Sequence, residues 1–415
     1  MSNLAILGGK PIRQAPRVCP WPIHDEKEEE ALVRVARSGV WQQGKEVAEF
    51  EEMFASYQGA KYGICATNGT VTMELALRAF GVGPGDEVII PPLTFVATGL
   101  AVLEVNAVPI FADVDPDNHN LSPQAVEEAV TERTRAIIPV HVGGVPADMD
   151  GLGEVASRHG LKILEDAAHA HGAEWKGTRV GPIGDMGSFS FQTSKNMTSG
   201  DGAILLTNSE ELAELVKGLR AFGYSYPGAM MGHNYRMTEF QAAVLKVQFG
   251  RLDEQIAKRN ENAEYLSAGL AEIEGITPEI LDPRVTRCPR YIYKFKYDDS
   301  YFGGLDKHAF FEAVVAEGAP LFDTYAPLYR SPLFTEKAFR PGGCPVSCNR
   351  YGKPIDYTQV HCPASEKVYQ EEGICVFLTA LMVEKEDLDV IPEAILKVQQ
   401  HVGDLLLSDA VGQKG

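Results

Sequence analysis

Along the first half of the chain, short apolar runs of strand length alternate with longer stretches of helical period. Tyr62–Cys65, Glu87–Ile90, Val108–Phe111, Ala136–Val140 and Lys162–Leu164 read as strands. Val71–Phe80, Phe95–Leu103, a segment opening at Ser122-Pro123 and another after Asp148 read as the helices between them. The Ser122 hydroxyl suits an N-cap, with proline at the first helical position. Apolar strands separated by helices predict a mostly parallel sheet covered on both faces. Ser188-Phe189-Ser190-Phe191 alternates as a further strand, Gly200-Asp201-Gly202 supplies a turn, and Ala203–Leu206 returns as a strand.

The flanks read differently. Met1–Gln43 is an irregular arm with a helix over about Asp25–Ser38. Lys45–Tyr57 is a helix with Val47, Phe50, Met53 and Phe54 on one face. After the strands come a helix over Ser209–Phe222, a mobile loop over Gly223–Gly232 and one long helix from Thr238 to about Leu266. Beyond Gln255 the pattern changes. Tyr291–Tyr297 is expected as a strand with an exposed face, His308–Glu317 as a helix, Pro320–Val360 as a long irregular segment, Cys375–Leu381 as a strand and Glu386–Val402 as a closing helix. We therefore expect an arm and a large α/β domain over residues 1–254 and a smaller α+β domain over 255–415.

Composition narrows the function without naming it. A formal net charge of −19 argues against nucleic acid or an anionic membrane as the main partner. No window approaches the roughly 20 apolar residues that a membrane helix needs, and the start of the chain lacks a signal-peptide pattern, so a cytoplasmic location is expected. The 7 cysteines are odd in number and irregularly spaced, which reads as reduced thiols. Cys344, Cys348, His361 and Cys362 could be drawn as a metal cluster, but the spacing departs from the usual knuckle. No metal is expected.

In a parallel sheet, ligands lie at the carboxyl ends of the strands, and four features fall there. Gly69 and Thr70 open a helix, so their amides either bind an anion or are capped in the ordinary way. Phe95 either joins the core or lies on a flat ring. Asp166 follows a buried strand and either caps the next segment or meets a cation, such as a protonated ring nitrogen. Lys195 stands between two strands among hydroxyls. It is either a solvated turn lysine or a desolvated amine able to form a Schiff base with a carbonyl.

Taken together, Leu7–Pro11, Thr67–Thr70, Pro91–Phe95, Glu165–Gly172, Phe189–Phe191 with Lys195, and Gly232–Glu239 resemble the DegT/DnrJ/EryC1/StrS family of pyridoxal-phosphate aminotransferases. The resemblance implies a fold type I enzyme, a homodimer with composite active sites. It implies Lys195 as the Schiff-base lysine and proton shuttle, and Asp166 as partner of the pyridine nitrogen. Phe95 would stack on the ring. Gly69, Thr70 and Ser190 would bind the phosphate, with Asn234 reaching in from the neighbouring subunit. His169 would lie near the cofactor oxygen, where many members carry glutamine. Asp201-Gly202-Ala203 departs from the family's usual Glu-Gly-Gly. A lysine at 195 separates this chain from related sugar dehydratases, which carry histidine there.

The implied reaction is ping-pong transfer of an amino group from L-glutamine or L-glutamate to a ketone on a polyhydroxylated ring. Around Asp166–Gly172 and Asn234–Glu239 the chain resembles 3-amino-5-hydroxybenzoate synthases. Over Phe302–Leu305 and Tyr325–Phe334 it is more like scyllo-inosose aminotransferases. We therefore expect a keto-cyclitol or keto-sugar acceptor. The alternatives are an aminohydroxybenzoate synthase, a nucleotide-ketosugar aminotransferase, or a non-catalytic regulator or scaffold that binds the cofactor. Arg290, Arg330 and Arg350 are open candidates for a substrate carboxylate or phosphate.

Overall fold

A computed structural model describes residues 3–223, 230–347 and 349–408. Cys348 of the drawn metal cluster and residues 224–229 of the expected loop lie outside the described residues. Seven strands form the main sheet, in the order Tyr62–Ala66, Ala203–Thr207, Met186–Ser190, Lys162–Asp166, Thr134–Ile137, Glu87–Ile90, Val108–Phe111. Ala203–Thr207 runs antiparallel to both neighbours, and the other pairings are parallel. The expected mostly parallel sheet is present.

Side chains alternate across each strand, and both faces are buried. Ile89, Ile137, Ile163, Phe189, Ile204 and Leu206 enter one core. Val88, Ile90, Ala136, Leu164, Met186 and Leu205 enter the other. Around Phe54 the first core is aromatic: Phe189, Phe191 and His171 meet it edge to face, with ring centroids 5.2, 5.5 and 6.0 Å away.

A second, four-stranded antiparallel sheet orders Ile276–Pro278, Ile292–Tyr297, Gly373–Phe377 and Leu321–Asp323. It has its own core, which includes Phe295, Tyr297, Phe310, Ile374 and Ile391. The exposed face expected for its second strand is not observed. Lys294 is buried and its ammonium donates to the Asn118 carbonyl at 2.7 Å, because the first sheet's loops cover that face.

The long helix expected from Thr238 is two helices, Glu239–Phe249 and Leu252–Ala271. Gly250, a poor helix former, stands at the break. The new direction takes Leu252 and Ile256 into the first core and Leu266 and Leu270 into the core of the second sheet. The irregular segment after Pro320 also crosses back: Leu328, Tyr329, Phe334, Tyr351 and Tyr357 pack into the main sheet's core. Its tyrosines keep their hydroxyls bonded. Tyr329 and Tyr351 donate to Glu366 and Glu87, each at 2.6 Å, and Tyr357 donates to the Pro109 carbonyl at 2.9 Å. Among the described residues, no helix is long and apolar enough to cross a membrane, and no group of three or more His, Cys, Asp or Glu could hold a metal ion.

Candidate active site

A cavity of about 800 Å³ opens at the carboxyl ends of the parallel strands. Its lining brings together Gly69, Thr70, Phe95, Asp166, His169, Ser190 and Lys195, seven of the eight expected site residues. The eighth, Asn234, does not line it. It is exposed, and its side-chain oxygen accepts from Arg236 Nε at 3.0 Å.

One wall is the start of the helix Gly69–Ala79. Asn68 caps it by accepting from the Val71 N–H at 3.1 Å. The Gly69 and Thr70 N–H groups are among the first four of the helix, which have no partner within it. Glycine suits position 69, since a Cβ there would stand 3.2 Å from Ser190 Cβ, tighter than ordinary packing. Two amides at a positive helix end, beside the Ser190 hydroxyl, make a site for an anion.

Opposite that end, Asp166 finishes its strand in nearly full burial. Its Oδ2 accepts from Thr98 Oγ1 at 2.9 Å and its Oδ1 from the Ala168 N–H at 3.2 Å. Burial raises the carboxyl above its ordinary range, against the pull of those two donors and of Lys195. Asp166 thus caps the next turn and also faces the cavity. Its neighbour Glu165 points away and accepts from the Gly181 and Gly184 amides and from His141.

Lys195 lies in the turn after Met186–Ser190, half-buried. Desolvation lowers its ammonium to about 8, with nearby Asp166 acting the other way. Its Nζ stands 4.8 Å from the centre of the Tyr291 ring. Its backbone is pinned on both sides: its N–H donates to the Gln192 carbonyl at 2.9 Å, and Trp21 of the arm donates to its carbonyl at 3.2 Å.

His169 is buried and stacks on Tyr291, with ring centres 4.0 Å apart. Burial keeps it neutral by driving its pKa well below the usual histidine value. The Gly143 N–H donates to its Nδ1 at 3.4 Å, which leaves the proton on Nε2. Phe95, one alternative for which was a core residue, is instead 59% exposed and forms part of the cavity wall.

The three arginines left open line no part of the cavity. Arg290 is buried against Glu279, and Arg330 pairs with Glu366 at 2.7 Å. Sequence reasoning missed Tyr291, Tyr325, Tyr235 and Thr98. Tyr291 carries no local signal, whereas Tyr235 and Tyr325 lie inside the Gly232–Glu239 and Tyr325–Phe334 runs that carry the resemblance and could have been singled out there. Thr98 sits four residues after Thr94, a helical spacing that places the two on one side.

The donor set has what pyridoxal 5'-phosphate requires: an anion site, an acceptor carboxylate, an unstacked aromatic face and a desolvated amine. The DegT/DnrJ/EryC1/StrS aminotransferase family model matches residues 22–368. An L-glutamine:2-deoxy-scyllo-inosose aminotransferase from Streptoalloteichus tenebrarius is 40% identical over 97% of this chain and 99% of its own length. A 3-amino-5-hydroxybenzoate synthase from Amycolatopsis mediterranei is 38% identical over 88% of this chain and 92% of its own. The crystal structure of a 3-amino-5-hydroxybenzoic acid synthase superposes with a TM-score of 0.82 at 35% identity, covering 94% of this chain and all of that one. With its fold, its cavity and these relatives in agreement, the chain belongs to the DegT/DnrJ/EryC1/StrS aminotransferase family.

Proposed function

We propose that this aminotransferase moves an amino group from L-glutamine or L-glutamate to the ketone of a keto-cyclitol or free keto-sugar, by a ping-pong cycle, as a cytoplasmic homodimer in aminocyclitol or aminosugar biosynthesis of the kind that makes antibiotics. The observation that carries the reading is the convergence of Lys195, Asp166, Phe95 and the Gly69–Thr70 helix end on one cavity. Bound pyridoxal 5'-phosphate supplies an electron sink that makes the Cα–H of an amino acid acidic.

The protein does the rest. Gly69 and Thr70 amides and the Ser190 hydroxyl bind the phosphate, joined by Asn234 from the partner copy. Asp166 holds the proton on the ring nitrogen. Phe95 covers one face of the ring and excludes water from it. His169, neutral, holds the ring oxygen with its Nε2 proton. Lys195 takes the proton from the donor carbon and returns it to the acceptor carbon. An amine lowered toward 8 is suited to both directions near neutral pH.

The cavity chemistry supports an uncharged acceptor. Among the described residues that line it, Lys195 is the one cation, against the carboxylates Glu74, Glu104, Asp166 and Asp201. A nucleotide diphosphate would ask for cations there, whereas ring hydroxyls donate well to carboxylates. The two cores of the main sheet and the separate core of the second sheet support a large domain over 1–254 and a small one over 255–415, with the segment around 328–362 returning to the large one.

The test is product formation with L-glutamine and matched acceptors. Amination of inososes in preference to nucleotide ketosugars is expected. Amination of only nucleotide ketosugars would overturn the acceptor assignment. Lys195→Ala is expected to fold normally by circular dichroism and to lose turnover.

A further inference from the structure

Behind Asp166 two buried hydroxyls stand in line. Thr98 Oγ1 is 2.9 Å from Asp166 Oδ2, and Thr94 Oγ1 is 2.8 Å from Thr98 Oγ1. Thr98 is fully buried and Thr94 is 4% exposed. An ionised carboxylate can only accept, so Thr98 is the donor to Asp166. Its oxygen then accepts the proton of Thr94, and the direction of both bonds is fixed. The local fold dictates this line: Thr94 precedes the N-cap Phe95, and Thr98 lies in the first turn of the helix Val96–Glu104, four residues on.

We infer that Thr94 and Thr98 are positioning residues, a two-hydroxyl donor chain that keeps Asp166 ionised and aims its free lone pairs at the cationic ring nitrogen of the cofactor. The inference rests on the assignment of Asp166 proposed above. The chain has a reason to exist. Burial alone pushes this carboxyl toward its protonated form, and a protonated Asp166 would present a hydrogen to a ring that already carries one. The groups facing Asp166 from other elements do not replace the chain. Lys195, across the cavity, favours the ionised carboxyl through space but makes no hydrogen bond to it, and His169 and Tyr325 are held neutral by burial. His141, from the neighbouring strand end, is hydrogen-bonded to Glu165. Only Thr98 and the Ala168 amide donate directly to the carboxylate among the described residues.

The test uses cofactor-free full-length protein titrated with pyridoxal 5'-phosphate, followed by tryptophan fluorescence, from about pH 5.5 to about pH 8.5. Thr98→Val preserves shape and removes the donor. Losing a hydrogen bond to a charged group is worth about one pH unit or more. The sign is set by Asp166: without the donor its pKa rises, so affinity is lost on the acid side at higher pH than in the unmodified protein. The expected result is affinity about tenfold weaker near pH 6 and close to normal near pH 8. Thr98→Ser should restore the original profile, and Thr94→Val should shift it in the same direction by less.

An unchanged profile in Thr98→Val overturns the inference. So does a uniform loss at every pH with a lowered melting temperature, which would mark packing alone. If Thr98→Val does not fold, an unshifted profile in Thr94→Val overturns the chain. Asp166→Ala serves as the control for the underlying assignment. Cofactor binding as tight as in the unmodified protein would remove that assignment, and this inference with it, whatever the threonine variants do.

Discussion

The amine of Lys195 sits where desolvation opposes its charge and the Tyr291 ring and Asp166 favour it, and desolvation prevails. Ordinary lysines titrate at about 10.4. In cofactor-free protein, competitive labelling with acetic anhydride followed by peptide mapping should therefore give Lys195 a midpoint near 8, well below that of surface lysines. A midpoint in the ordinary range would show that water reaches the amine freely. At this scale much was legible: Asp166, Phe95 and Lys195 each stood beside a strand end, where ligands gather. What could not be read was the company they keep. Tyr291 is 96 residues from Lys195 in sequence, and nothing local distinguishes it from the aromatic residues of the strand Ile292–Tyr297 that follows it.

Elements position these residues, and their ends are where the fold is most easily tested. The helix Lys45–Gln58 begins at Gly44, which offers no side-chain cap. The cap comes instead from Glu239, whose carboxylate accepts from the Gly44 and Glu46 amides at 3.0 and 2.8 Å and is 1% exposed. Glu239→Ala should cost about 2 kcal/mol by chemical denaturation, since buried amides lose a charged acceptor. A change within a few tenths would mean that water replaces the carboxylate. Phe54 carries that helix into the aromatic core, so Phe54→Ala should be destabilising by about 3–5 kcal/mol while the cavity residues keep their places. The helices and strands of this half followed from hydrophobic period. The break at Gly250 did not, because apolar residues continue on both sides of it and only the two cores reveal the change of direction.

At the scale of the molecule, a single chain leaves one expected phosphate ligand outside. Asn234 is exposed and does not line the cavity of its own chain, although its neighbour Tyr235 does, and under the proposed function it serves a partner copy. If the sites are composite, Lys195→Ala and Asn234→Ala proteins, each nearly inactive alone, should regain activity when unfolded and refolded together. Mixed dimers would then hold one site with both residues intact. No recovery would assign Asn234 to its own chain or to no site. The change of pattern past Gln255 was legible as a change to α+β character, whereas the order of the strands was not read, because hydrophobic period does not say which strands pair. The return of the 328–362 segment to the main sheet could not be anticipated, because its aromatic residues follow no period and find their places only through tertiary contacts.

The central claim is that Lys195, Asp166 and the helix end at Gly69 run a transamination, and the most direct measurement is the absorbance spectrum of the purified protein with pyridoxal 5'-phosphate, before and after L-glutamine or L-glutamate is added without acceptor. A visible band is expected that gives way to a near-ultraviolet band on adding the donor and returns when an inosose is supplied. No visible band would contradict the role of Lys195, and a band that no amino donor moves would contradict the reaction.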